Sequence, residues 1–64
     1  MFVWRYLDEE GRQIGESDPF GDRDAAEAWM GEGWSDLLDR GVQQVALEDR
    51  GRGRTVYRMG LGES

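Results

Sequence analysis

"AEAWMGEGWSDLLDRGV", residues 26–42, carries the apolar spacing of a helix with two glycines and two tryptophans in its middle. At about 100° per residue, Ala26, Met30, Gly33 and Leu37 fall along one stripe. Trp29 borders that stripe on one side, and Trp34 and Leu38 border it on the other. Asp24, Glu32, Asp36 and Asp39 lie on the opposite face. Gly33 thus sits at the centre of the stripe, where a missing side chain is expected to let a strand or ring come close. Gly31 sits at its edge without a packing reason, at a cost of about 1 kcal/mol relative to alanine. The two tryptophans are expected to wall the core, with Trp34 keeping some exposure and an interface role.

Both ends of this helix are punctuated. Asp18-Pro19-Phe20-Gly21 breaks the preceding strand, and Asp22 can accept from the free amides of the first turn. Asp24 and Glu27 place negative charge where the helix dipole favours it. Arg40 falls in the last turn and Gly41 where a left-handed residue closes a helix. Leu37 and Val42 then occupy the two positions whose apolar contact accompanies a Schellman cap. The spacing predicts one helix over 23–40.

Working outward, Phe2-Val3-Trp4-Arg5-Tyr6-Leu7 is aromatic and β-branched and reads as a strand. Asp8 to Gly11 is a turn with glycine where a positive φ is needed. Residues 12–16 are a weaker return strand suited to an edge. Residues 42–48, the turn 49–53 and residues 54–59 repeat the plan. Two hairpins flank one helix, so the expected fold is a single α+β domain over 1–64. Its order is β-β-α-β-β, with an antiparallel sheet covered on one side by the helix.

One helix covers one sheet face. Phe2, Trp4, Tyr6, Ile14, Val45, Leu47, Tyr57, Met59 and Leu61 are assigned to the covered side. The uncovered side is then expected to show Val3, Leu7 and Val56 beside Arg5, Arg54 and Arg58. This mixed surface is the leading candidate contact site, although an ordinary sheet face shielded by arginine stems explains the same residues.

Composition bounds the chemistry. Sixty-four residues without cysteine must find stability in a dense apolar core or in self-association. Histidine is absent as well, which removes the commonest general base and zinc ligand. Ser17, Ser35 and Ser64 have no histidine or lysine to activate them, and so short a chain forms a deep pocket with difficulty. An enzyme, a cofactor and a metal are therefore not expected. The acids Asp18, Asp22, Asp24 and Glu27 do not match a calcium loop, whose twelfth position would fall on Trp29. No apolar run reaches membrane-spanning length and no charged-then-apolar leader stands at the start, so a soluble cytoplasmic protein is expected.

The net charge is −6 and all eight bases are arginine. Residues 1–41 hold eleven acids against four arginines, and residues 42–64 hold three against four. Acidity opposes generic nucleic-acid binding. The turn Asp49-Arg50-Gly51-Arg52-Gly53-Arg54 nevertheless offers an alternative. Arg50, Arg52, Arg54 and Arg58, next to Tyr57, have the composition to grip phosphate and stack a base. A third reading makes the acidic helix face, Glu32, Asp36 and Asp39, a phosphate mimic for a basic protein. The leading expectation is a non-enzymatic interaction module that uses the uncovered sheet face or an edge strand, with an unknown protein partner or a second copy of itself.

The stretch "AEAWMGEGWSDLLDRGVQQVALED", continuing into "TVYRMGL", resembles a family of short uncharacterised actinobacterial proteins. Those share a similar Ala-Glu-Ala-Trp helix, a Gly-Val exit and a closing Tyr-x-Met strand. The resemblance covers most of the chain from Phe20 onward and implies a shared fold and an actinobacterial source. It implies no activity and no functional residue.

Overall fold

The structure is a computed structural model that describes residues 1–61. Glu63 and Ser64, counted above, lie outside the described residues. Four strands and one helix follow in the expected order: β1 (Phe2–Leu7), β2 (Gln13–Glu16), α1 (Arg23–Asp39), β3 (Gln44–Asp49) and β4 (Arg54–Gly60). They form one antiparallel sheet of order β2-β1-β3-β4, with β1 and β3 central.

The helix ends are built as the sequence predicts. Asp22 Oδ1 accepts from the Ala25 N–H at 2.7 Å, closing the N-terminus. At the other end Gly41 has φ +96°, which glycine adopts without a Cβ clash. Its N–H donates to the Leu38 carbonyl and the Val42 N–H to the Leu37 carbonyl, both at 3.0 Å. That pair of bonds is the Schellman arrangement, and Leu37 and Val42 are both buried in the same core. Asp8 Oδ1 organises the first turn by accepting from Glu10 and Arg12, with Gly11 at φ +83°.

The core lies between α1 and the central strands. Trp4, Val45 and Leu47 from the sheet meet Ala26, Met30 and Leu37 from the helix, with Val42 and Leu61 closing the end. Trp4 is fully buried, and its indole Nε1–H donates to the Ala26 carbonyl at 2.8 Å. The largest buried side chain therefore also satisfies its one polar group, and it ties β1 to the helix. Burying each such residue stabilises the fold by about 1.5–3 kcal/mol.

The outer side of β1 has a second fastening. The Ser17 N–H donates to the Trp4 carbonyl at 2.8 Å, and the Trp4 N–H donates back to Ser17 Oγ at 2.9 Å. Phe20 exchanges two backbone bonds with Phe2. The segment after β2 thus continues the pairing along β1, which leaves β4 as the long open edge of the sheet.

Four side-chain placements differ from expectation, two of them through β-bulges. A register shift between Tyr6 and Leu7 pairs Gly15 with Tyr6, so Ile14 turns out of the helix-facing row and is exposed. A second shift between Leu47 and Glu48 makes Val56 the extra residue on β4. Val56 consequently packs against the helix-side core, and Arg54 pairs with Asp49 in the row of Phe2. Gly33 is the third difference. A Cβ built there meets nothing within 4 Å, so no close approach requires glycine, and nothing in the structure explains it. Trp29 is the fourth. It is 38 % exposed and leans on Phe20, with ring centroids 5.5 Å apart, because α1 sits over the sheet centre and leaves its flanks uncovered.

Candidate functional site

The sheet face away from α1 is not an apolar patch. Val3, Leu7 and Ala46 point from the central strands into this face, yet each is buried. Arg5 reaches across it, donating from Nε to Gln13 Oε1 at 3.0 Å and pairing through Nη1 with Glu48 at 3.4 Å. Arg58 reaches from the other side to Gln44 Oε1 at 3.2 Å. Its guanidinium also approaches Gly11 of the first turn. Only a small polar recess of about 150 Å³ remains between Arg5, Thr55 and Arg58. Of the surface expected here, Arg5 and Arg58 share this face. Val3 and Leu7 are beneath it, Arg54 and Val56 belong to the other row, and Trp34 lies on the helix.

The arginines of the second hairpin are dispersed. Arg50 is held between carboxylates, with Nη2 at 2.8 Å from Glu16 and Nε bonded to Glu48. Arg52 points along Asp49 at 3.9 Å. Arg54 and Arg58 are on opposite sheet faces, so the four do not converge on one phosphate path. Glu32, Asp36 and Asp39 are exposed on the outer face of α1.

On the other side of the molecule, between α1 and β4, two of the exposed large apolar side chains, Trp34 and Met59, share one groove, whereas Met1, Ile14 and Trp29 are exposed apart from it. Arg23, Glu27, Gly31 and Trp34 recur every three or four residues along the flank of α1 that faces this edge strand. Opposite them stand Tyr57, Met59 and Gly60, and Trp4, Met30 and Leu61 form the floor. Together they line an open, mainly apolar groove of about 520 Å³. Trp34 is 43 % exposed and Met59 39 %, so both large side chains leave much of their surface in water. Alternation puts Met59 in the covered row. It has the correct facing, but α1 packs closest to β1 and leaves much of Met59 in water.

Gly31 gains a place here. A Cβ at this position has no neighbour within 4 Å, and the residue lines the groove beside Trp34. A longer side chain would fill the space that the two walls enclose. The helical pattern placed Gly31 at the stripe's edge but carried no sign of what stood opposite. The position of β4 supplies that.

One end of the groove is polar and closed. Arg23 Nε donates to Glu27 Oε2 at 2.8 Å, and the Tyr57 hydroxyl donates to the same oxygen at 3.1 Å. The Arg23 guanidinium also lies 5.3 Å from the Tyr57 ring centroid. These two donors, Arg23 first, hold the Glu27 carboxyl below its ordinary pKa. Burial, then the hydrogen bond to Glu27, push the Tyr57 phenol up. Both shifts favour the bonded arrangement of an ionised Glu27 accepting from a protonated Tyr57. The trio braces helix to strand.

Among the described residues, no three His, Cys, Asp or Glu side chains converge as a metal-binding group. No described helix is long and apolar enough to cross a membrane. Comparison of the chain with protein-family models, curated proteins and solved structures finds no match.

Proposed function

We propose that this protein is a non-enzymatic interaction module that binds through the groove between α1 and β4. The observation that carries this reading is the joint exposure of Trp34 and Met59 over an apolar floor. Tryptophan in particular is enriched among the residues that dominate binding energies. The groove is preformed, since its walls are a helix and a strand fixed by the core, so little ordering opposes association. The far sheet face lacks this property because the stems of Arg5 and Arg58, bonded to Gln13, Glu48 and Gln44, cover its apolar rows. A cytoplasmic setting belongs to the same proposal, as a chain without cysteine is compatible with a reducing compartment.

Selection from a random-peptide display library, followed by amide NMR mapping, tests the proposal. Enriched peptides should shift the resonances of Trp34, Met59 and Gly60 and lose binding to Trp34→Ala. A selection that enriches nothing, or peptides that map to the far sheet face, would overturn it.

A further inference from the structure

We infer that the groove and the β4 edge take an extended, acidic, amphipathic peptide, which adds to the sheet as a fifth strand beside β4. This rests on the groove reading above and specifies the partner.

The backbone supplies the first part of the argument. The Leu61 N–H donates to the Gln43 carbonyl at 2.9 Å, in register with the Val45–Met59 and Leu47–Tyr57 pairs. Alternation along an antiparallel strand then turns the backbone groups of Tyr57 and Met59 toward β3, and those of Arg58 and Gly60 away from the sheet. Among the described residues no strand lies beyond β4. Arg58 and Gly60 therefore present a spaced set of donors and acceptors along an open edge, the template that an added strand uses.

Side chains supply the second part. A residue of the added strand beside Met59 or Tyr57 points to the helix side and enters the groove against Trp34, where an apolar side chain fits. Its neighbours in the added strand point to the opposite face, beside Arg58. Arg5, Arg12, Arg23, Arg50 and Arg52 are all paired, whereas no described carboxylate lies within ion-pair distance of Arg40, at the helix end, or of Arg54 and Arg58, the two on β4. An acidic side chain opposite Arg58 completes a cross-strand pair. Alternating apolar and acidic residues therefore match both faces of the edge at once.

A second copy of the chain matches less well. Two-fold pairing centred on Arg58 or Met59 sets the two Arg58 side chains opposite or diagonal to each other on one face.

The test uses capped eight-residue peptides of alternating valine with glutamate, glutamine or lysine. Calorimetry should show the glutamate peptide binding about two- to fivefold tighter than the lysine peptide, the scale of one favourable cross-strand ion pair. Arg58→Glu should reverse that order. On binding, exchange of the Arg58 and Gly60 amide hydrogens should slow, and N-methylation of the peptide at alternate residues should abolish the effect with the unaltered protein. Equal or tighter binding of the lysine peptide, or unchanged exchange at Arg58 and Gly60, overturns the inference. So does a sedimenting dimer that the glutamate peptide cannot dissociate. Display-selected peptides that occupy the groove without acidic alternation also sink it, while leaving the interaction-module reading in place.

Discussion

Replacing Trp4 with phenylalanine probes the contact on which the helix–sheet packing turns. The indole is fully buried, its N–H donates to the Ala26 carbonyl at 2.8 Å, and its ring meets Tyr57 edge-on with centroids 5.9 Å apart. Phenylalanine removes the donor and leaves a void on the order of 40 Å³, which costs about 1 kcal/mol at ~24 cal/mol per Å³. Loss of the hydrogen bond adds about 1 kcal/mol. The sum, about 2 kcal/mol, is a large share of the roughly 3–10 kcal/mol expected for a domain of this size. Thermal melts followed by circular dichroism should show Trp4→Phe lowering Tm by about 8–16 °C. Trp29→Phe, at the exposed flank, should change stability by no more than about 0.5 kcal/mol. If Trp4→Phe melted within about 3 °C of the parent protein, the indole bond and the tight core around it would be refuted.

Further expectations concern the helix, the sheet fastening and the polar end of the groove. Gly33→Ala and Gly31→Ala should each raise stability by about 0.5–1 kcal/mol, because neither Cβ meets a neighbour and alanine is the better helix former; a lower Tm for either would contradict the open geometry. Gly31→Leu should instead leave stability near the parent value while weakening any peptide that shifts the Trp34 amide, and unchanged affinity would separate Gly31 from the groove. Ser17→Ala leaves the Trp4 N–H without its acceptor and should cost about 1–3 kcal/mol in urea denaturation, so an unchanged midpoint would count against that bond. Glu27 titrates below its ordinary value in the fold, so its contribution to stability is present above the unfolded pKa and is lost as pH falls through the folded one. Carboxyl NMR should show this depression, and Tyr57→Phe should move the Glu27 midpoint upward by removing one donor; an unmoved midpoint would mean that the hydroxyl does not bond to it.

The helix and its ends were legible because each depends on residues close in sequence. Asp22 acts on Ala25 at one end and Leu37, Gly41 and Val42 act on one another at the other, each within about a turn and a half, and their types alone specify the caps. The 4-3-4 stripe likewise identified Ala26, Met30 and Leu37 as buried. Alternation placed Trp4 and Leu47 under the helix for the same local reason. The bulges carry no comparable signal, since an extra residue in one strand is defined only by the register of its partner. A single extra residue moved Val56 and Arg54 to the other row, and with them part of the contact surface expected from strict alternation.

Sequence alone thus determined the order of elements, the helix boundaries and most of the buried stripe, since these follow from periodicity and from hydrogen bonds made within a few residues. Only the tertiary structure decided which apolar residues meet water. That depends on where a single helix rests across a four-stranded sheet, and its position closest to β1 leaves Met59 and Trp34 facing each other across an open edge. The same placement turns Gly31 from an unexplained helix glycine into part of a groove wall. Burial is a property of neighbours distant in the chain, and no local pattern records them.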